Sequence, residues 1–410
     1  MAAKGAENRV DVIIAGAGAA GLALAAALAR ALKGKFSVVV CDPALGREPA
    51  ADDRMSAIAG GARRLLTALG VWDRIAADAQ PIVEMEITDS RLDDAVRPTF
   101  LSFDADDEDE PLAYMVENRA VLAALRQTAA ESGARFVTVA VEDFAAGVAA
   151  IDVALTGNEW LRSQLLVAAD GPASKLRSRG GIKTVSWSYG QSGIVATVGH
   201  QRAHGGRAVQ HFLAGGPFAI LPLTGRRSSI VWTEPDEEAK RIVLLPAGEF
   251  HAELERRFGL KLGEIEVLSP PRVHPLGFSI ARSFVGARLA LVGDAAHVVH
   301  PIAGQGLNLG LRDVAALAEC IAEAARLGLD VGGPDVLARY ERWRRFDTTA
   351  MGFSMDALNR LFSNRSDALK SLRDVGLGIV DRAPPLKRFF ASEAAGLTGA
   401  VPRLLRGEAL

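Results

Sequence analysis

Residues 10–42 constrain the fold more than any other part of the chain. Residues 10–15 form an apolar strand, and the turn Gly16-Ala17-Gly18-Ala19-Ala20-Gly21 follows directly. An alanine- and leucine-rich helix runs to about Ala31, and a second strand, residues 36–41, ends at Asp42. Together these make a βαβ unit, which implies a parallel sheet. Gly16 makes the tight turn, Gly18 admits a pyrophosphate, and Gly21 lets helix and strand pack closely, with Ala20 in the same turn. Phosphates would sit at the helix N-terminus, on free N–H groups. Asp42 lies 21 residues beyond Gly21, where an acid can accept hydrogen bonds from a ribose diol.

The stretch 10–32 is long enough to cross a bilayer. Asp11, Arg30 and three glycines interrupt it, and it lacks a basic lead and a cleavage pattern, so it reads as strand, turn and helix. The net charge is −2, which gives no basic face for nucleic acid. The two cysteines, Cys41 and Cys320, fall in predicted buried elements far apart. They form no disulfide framework and no metal cluster, which fits a reducing cytoplasm. There is no HExxH, no CxxC and no Ser-His-Asp arrangement, so metal and hydrolase chemistry lack support.

Further along, apolar spacing predicts a helix over 56–79, and residues 82–103 alternate between strands and polar turns. The charge run Asp104–Glu110 reads as a solvated hairpin loop. A helix is expected over 117–131, and an apolar strand, 165–169, ends at Asp170-Gly171. Strands are expected at 193–198, 208–213, 218–222 and 228–233, with a hairpin turn at Thr224-Gly225 and a helix near 247–258. A strand returns at 288–292, and after 307 the chain reads as mostly helical.

Residues 291–313, LVGDAAHVVHPIAGQGLNLGLRD, carry the richest chemistry. A strand runs into Gly293-Asp294, and Asp294 can bond a sugar-alcohol hydroxyl. Gly304 and Gly306 let backbone approach a flat ring, because they have no Cβ. A helix expected from Leu307 would aim N–H groups and its positive end at that ring. Such a site suits a reduced flavin, whose pyrimidine side is negative. GDAAH followed by HPxAGQGxNxGxxD resembles the second flavin motif of single-component aromatic-ring hydroxylases. The form HPIAGQGLNLGLRD resembles their ubiquinone-biosynthesis branch.

The resemblance extends from about residue 10 to the C-terminal region. Asp52-Asp53-Arg54-Met55-Ser56-Ala57 resembles a D-x-R-x-x-A segment, placing Arg54 near the cofactor phosphates. Arg119 opens a helix at a position that reaches the ribityl-phosphate region in similar enzymes. Residues 169–177, ADGPASKLR, resemble an ADGxxSxxR motif used in flavin and nicotinamide handling, with Asp170 as its acid. At the acid position most relatives carry Glu, and Asp42 is one methylene shorter. Pro301, Gln305, Leu307 and Asn308 complete the implied flavin contacts. Residues 211–232 resemble F-x-x-x-GP-x-A-x-LPL…VW, which nominates His211, Phe218, Leu221 and Pro222 for the substrate pocket or, equally, for sheet core. His300 precedes Pro301 where the reacting ring should lie. It is the candidate to orient or deprotonate a phenol, with backbone satisfaction as the plainer role.

The implied fold class is α/β: a Rossmann-like FAD-binding domain with an inserted mixed β-sheet substrate domain and a helical C-terminal tail. The expected FAD-binding parts are 1–80, 112–180 and 281–345; the β-rich parts are 81–111 and 181–280; the helical region is 346–410. The resemblance implies FAD, NADH or NADPH as transient reductant, dioxygen, and a hydrophobic polyprenylated phenol on the way to ubiquinone. No second GxGxxG is present, so the nicotinamide would bind without its own domain. In the tail, Lys387, Arg388, Arg403 and Arg406 alternate with Phe389, Phe390, Leu404 and Leu405. That leaves open a peripheral membrane contact, association with other ubiquinone-biosynthesis proteins, homo-oligomerisation, or a helix packed on the body. A hydroxylase of another small aromatic, a prenyl reductase and a non-enzymatic binding protein remain alternatives. The Trp-x-Trp-x-x-Pro signature of a flavin halogenase is absent.

Overall fold

The computed structural model describes residues 8–47, 54–89, 92, 97–105, 110–213, 215–301, 304–362 and 399–410. The chain opens with β1 (Arg9–Ala15), α1 (Ala19–Ala31) and β2 (Val38–Cys41). β3 (Met55–Ala59) runs into α2 (Gly60–Ala68). Then come β4 (Gln80–Ile82), β5 (Glu84–Asp89), β6 (Thr99–Asp104), β7 (Ala113–Glu117) and α3 (Asn118–Glu131). β8 (Arg135–Val137), β9 (Val141–Ala146), β10 (Ile151–Leu155) and β11 (Glu159–Ala168) precede a short α4 (Lys175–Arg179). Four long strands follow: β12 (Thr184–His200), β13 (Arg207–Leu213), β14 (Gly216–Leu223) and β15 (Arg227–Pro235). α5 (Asp236–Val243), α6 (Ala247–Phe258), β16 (Ile265–Val267) and β17 (Arg272–Ala281) come next. The chain returns through β18 (Val285–Gly286), β19 (Leu289–Leu291) and β20 (His297–Val298) to α7 (Gln305–Arg326) and α8 (Pro334–Phe362).

Three sheets result. In the first, β19, β11, β1, β2 and β8 are parallel neighbours, with Val12 opposite both Val38 and Leu165. Both faces of these strands are covered, so they read as unbroken apolar runs. The second sheet has the order β20-β17-β12-β15-β14-β13-β5-β6, with β16 beside β12. The third is β3-β7-β4.

The large sheet has two distinct faces. Ile194, Ala196, Val198, Ile220, Ile230 and Trp232 pack against α5 and α6 through Ala239, Ile242, Phe250, Leu254 and Phe258. From the opposite face, Ala208, Leu221 and Leu223 join Met55, Ala57, Ile82 and Met115 of the small sheet. This second apolar layer reaches the flavin motif.

Several local expectations change. Residues 55–59 are a strand, because they pair with β7 from Met55 opposite Glu117 to Ala59 opposite Ala113. The helix begins only at Gly60, and beyond Leu69 the chain makes two short 3-10 turns. The run after Asp104 closes no hairpin: β6 pairs with β5, whereas β7 pairs with β3 and β4. Of that run, residues 106–109 lie outside the described residues, and Glu110 ion-pairs with Arg63 and Arg64 at 2.8 and 2.7 Å. The tail is not helical throughout. Residues 403–406 form a 3-10 turn whose Leu404 and Leu405 are buried in the main core. Arg406 pairs with Glu408. The apolar half of that basic stretch is therefore spent on packing, while Lys387, Arg388, Phe389 and Phe390 lie outside the described residues.

Candidate functional site

β1, β11 and β19 end side by side at one edge of the first sheet, the edge where ligands bind in open parallel sheets. Each strand delivers one motif there. Ala169 N–H donates to Ala15 O at 2.8 Å, and Val292 N–H to Ala168 O at 3.0 Å. Gly16, Asp170 and Gly293 thus leave the sheet together.

Gly16 has φ +114°, and a Cβ there would lie 2.2 Å from Ala169 O. Gly18 differs, because a Cβ on it would meet nothing within 4 Å. α1 starts there without a side-chain cap, so its first N–H groups are available to an anion. Asp42 is half-buried beside this turn. Its Oδ2 accepts from Ala17 N–H and its Oδ1 from Ala44 N–H, both at 2.7 Å. Each oxygen keeps a second lone pair for a ribose hydroxyl.

The second half of the site lies against the first. A Cβ on Gly293 (φ +59°) would be 3.1 Å from Ala20 Cβ, and one on Gly310 would be 3.3 Å from Gly293 Cα. The start of α1, the Gly293-Asp294 turn and the second turn of α7 therefore touch. Asp294 is exposed at the surface of the turn, yet the protein packed around its carboxyl partly desolvates it and raises its pKa, while His297 and Arg54 oppose that shift. Arg54 is thus close enough to act on Asp294. Arg177 joins the middle motif to the late one, donating to Ala295 O at 2.8 Å and Pro172 O at 3.1 Å.

α7 begins at Gln305, two residues earlier than expected, behind Gly304 at φ +63°. It has no side-chain cap, and a Cβ on Gly306 would meet nothing within 4 Å. Two uncapped helix starts, each beside a glycine facing open space, fit the two ends of FAD: pyrophosphate at Gly18, ring at Gly306. Gln305 is buried, Leu307 half-buried and Pro301 exposed. Residues 302–303 lie outside the described residues.

Some candidates sit elsewhere or do another job. Asn308 is buried, with its amide spent on β3: it accepts from Ala59 N–H at 3.0 Å and donates to Ala57 O at 2.8 Å. It ties α7 to the small sheet. Asp170 accepts from Lys175 N–H at 3.0 Å, at the start of α4, whose cap is Ser174. Arg119 is exposed and ion-paired with Glu117. His211 and Phe218 face α5 and α6, away from the flavin motif, stacked at 6.3 Å and 14°. His211 Nδ1 bonds Thr88 Oγ1 at 2.7 Å, and burial, with Arg97 and Lys261, lowers its pKa to about 3. Leu221 belongs to the apolar layer nearest Gly304, whereas Pro222 is buried and by strand alternation lies on the face of Phe218 and Ile220. The reason is strand parity. His211 and Phe218 are cross-strand partners, so both point to one face, and Leu221 points to the other.

His300 is 1% exposed. Neither ring nitrogen has a hydrogen-bond partner among the described residues, and burial lowers its pKa to about 4, with Asp356 opposing. Its ring meets that of Tyr189 edge-on, 5.1 Å away.

One residue group went unassigned from sequence. Asp313 is wholly buried; it accepts from His297 Nε2 at 2.6 Å, Gly293 N–H at 3.1 Å and Arg344 Nε at 2.9 Å. Burial would raise its carboxyl pKa, but His297 and Arg344 outweigh that and hold it below the usual range. The closing Asp of the late motif was visible as a letter, but its partner Arg344 carries no pattern. Among the described residues no group of three His, Cys, Asp or Glu side chains could hold a metal ion.

Comparison with known proteins shows the family and the fold. Residues 9–351 match the family described as FAD binding domain. Ubiquinone hydroxylase UbiL of Rhodospirillum rubrum is 45% identical, over 98% of this chain and 94% of its own. The 3-demethoxyubiquinol 3-hydroxylase of Escherichia coli is 35% identical, over 94% and 98%. In fold, p-nitrophenol 4-monooxygenase PnpA from Pseudomonas putida superposes with a TM-score of 0.77 over 96% of this chain and 100% of its own, at 18% identity. Fold and site thus define an FAD-dependent ring hydroxylase, with FAD as cofactor. The chain belongs to the FAD-binding-domain family, among its ubiquinone-biosynthesis hydroxylases.

Proposed function

We propose that this chain hydroxylates the aromatic ring of a polyprenylated phenol on the way to ubiquinone, using NADH or NADPH and dioxygen. The observation that carries the reading is the wall at the ring end of the site. A Cβ on Gly304 would lie 3.0 Å from Ala57 Cβ, and Ala57 belongs to the apolar layer that includes Leu221, Leu223 and Met115. An apolar wall of this kind suits a hydrophobic phenol held against a flat ring. The same wall excludes water, which protects reactive oxygen species from decay.

The chemistry that bound FAD supplies is hydride acceptance from NAD(P)H and activation of dioxygen. The residues bind and orient. Gly16, Gly18 and the start of α1 hold the pyrophosphate, and Asp42 accepts from the ribose. Asp294 accepts from a ribityl hydroxyl, and Arg54 neutralises phosphate nearby. Gly304, Gly306 and the α7 N–H groups cradle the ring. His300, neutral at working pH, accepts a hydrogen bond from the phenol hydroxyl and takes its proton only as the new C–O bond forms.

Among the described residues no helix is long and apolar enough to cross a membrane. A prenylated substrate favours a protein working at a membrane surface from the cytoplasm, and the stretch Lys387–Phe390 supplies basic and aromatic residues for such a contact. Deletion of the gene, followed by identification of the accumulating quinone precursor, tests the reading and fixes the ring carbon. Unchanged ubiquinone with no accumulated precursor would overturn it.

A further inference from the structure

The ladder between β12 and β17 breaks next to the flavin motif. Ser188 faces Gly277 and Gln191 faces Leu276, so Tyr189 and Gly190 are looped out of the sheet. A bulge of this kind re-aims a side chain, and here Tyr189 meets His300. The Tyr189 hydroxyl is buried with no hydrogen-bond partner in acceptable geometry, like both nitrogens of His300. Unpaired buried polar atoms are costly, and three on two touching rings ask for a ligand that carries oxygen.

The surroundings bring the Asp356 carboxylate and Trp187 within reach of the Tyr189 hydroxyl, but in no geometry that makes a good hydrogen bond. Trp187 stacks on Phe278 at 4.2 Å and 13°, and its Nε1 donates to Asp356 Oδ1 at 3.1 Å. Arg360 binds Asp356 Oδ2 at 2.9 Å. Asn359, one helical turn along α8, reaches Gln191 at 3.2 Å on the far side of the bulge. α8 thus pins both flanks of the looped-out pair. Burial and the Asp356 carboxylate both raise the Tyr189 phenol pKa, so its hydroxyl stays protonated and can donate.

We propose that Tyr189 is a second catalytic residue, donating a hydrogen bond to the substrate's ring oxygen while His300 accepts that oxygen's proton, with Asp356 as a positioning residue. This rests on the phenol-hydroxylase reading. The phenol proton moves to a His300 nitrogen as the new C–O bond forms. Rearomatisation then breaks the C–H bond at that carbon, whose hydrogen leaves to solvent as a proton, while His300 returns its proton to the ring oxygen. Tyr189 remains neutral throughout.

The test uses the full-length FAD-loaded protein, with 2-prenylphenol and the oxygen-free prenylbenzene as probes. Affinity is read from the perturbation of the flavin absorbance spectrum. Tyr189→Phe should weaken 2-prenylphenol about tenfold, the worth of one lost hydrogen bond of about 1.4 kcal/mol, and leave prenylbenzene unchanged. Asp356→Asn, which keeps the shape, should move the same ratio in the same direction by a smaller factor. If both variants discriminate between the probes as the wild type does, the Tyr189 assignment is overturned while the phenol reading stands. If the wild type itself binds 2-prenylphenol no better than prenylbenzene and couples no NADH oxidation to it, both fall.

Discussion

His297 Nε2 and Asp313 Oδ2 lie 2.6 Å apart in the core, and the Gly293 N–H donates to that same oxygen at 3.1 Å. The turn that presents Asp294 is therefore fastened to α7 from behind. Arg344 of α8 binds the other carboxylate oxygen and also reaches Thr348 Oγ1 at 3.0 Å. One carboxylate joins the flavin turn to two helices.

Removing that charge should be severe. Asp313→Asn takes from Arg344, 3% exposed, its buried anion and leaves only the partly exposed Asp347 carboxylate, 3.5 Å away. Breaking a buried pair from one side costs about 3–5 kcal/mol. Thermal unfolding should shift down by many degrees, and the purified protein should retain less FAD. A wild-type melting curve would show that Arg344 finds another partner.

Two glycines should separate folding from cofactor binding. Gly16→Ala places a Cβ 2.2 Å from a backbone oxygen at φ +114°, so it should not fold well. Gly18→Ala meets nothing within 4 Å and sits at extended φ −73°. It should melt like the wild-type apoprotein yet bind FAD at least tenfold more weakly, because its methyl group would fill the pyrophosphate's place. Equal FAD affinity, measured by fluorescence titration, would remove the phosphate from that turn.

His211 predicts a pH limb in stability. Its folded pKa is about 3, against an ordinary 6.5. The unfolded chain therefore binds the proton first, so stability is full above pH 6.5 and falls as pH drops toward the folded value. The slope is about 1.4 kcal/mol per pH unit for one such histidine. His300, lowered to about 4, adds a second contribution over a narrower range. His211→Gln should flatten part of the decline between pH 6.5 and 4 in denaturant titrations. An unaltered slope would mean that His211 is protonated in the folded state.

What could be seen in the sequence was local. The βαβ unit, its glycine turn and Asp42 lie within some thirty consecutive residues, and β1, α1 and β2 form where strand and helix patterns placed them. Residues 55–59 were misread because their partner strand starts at Ala113, and apolar spacing cannot reveal a distant pairing that overrides helix propensity. The outward turn of His211 and Phe218 was hidden for another reason. β13 and β14 are buried on both faces, so their apolar runs show no alternation to tell front from back. Tyr189 was invisible because its placement depends on a register break against β17.

Leu221 offers the sharpest check on the wall. It packs with Met55, Ala57 and Met115 in the layer that meets Gly304, whereas Ile220 next to it faces α5 and α6. Leu221→Asn would put an amide into the apolar wall and bring water to the ring end. It is half-buried, so the stability cost should stay near 1–2 kcal/mol. The larger effect should be on coupling. NADH consumption should continue, while the fraction of consumed NADH that yields hydroxylated phenol falls severalfold and hydrogen peroxide rises to match. Ile220→Val, on the other face, should lose a little stability and leave coupling alone. If both substitutions uncouple equally, or neither does, the face of the sheet that carries Leu221 is not the substrate wall.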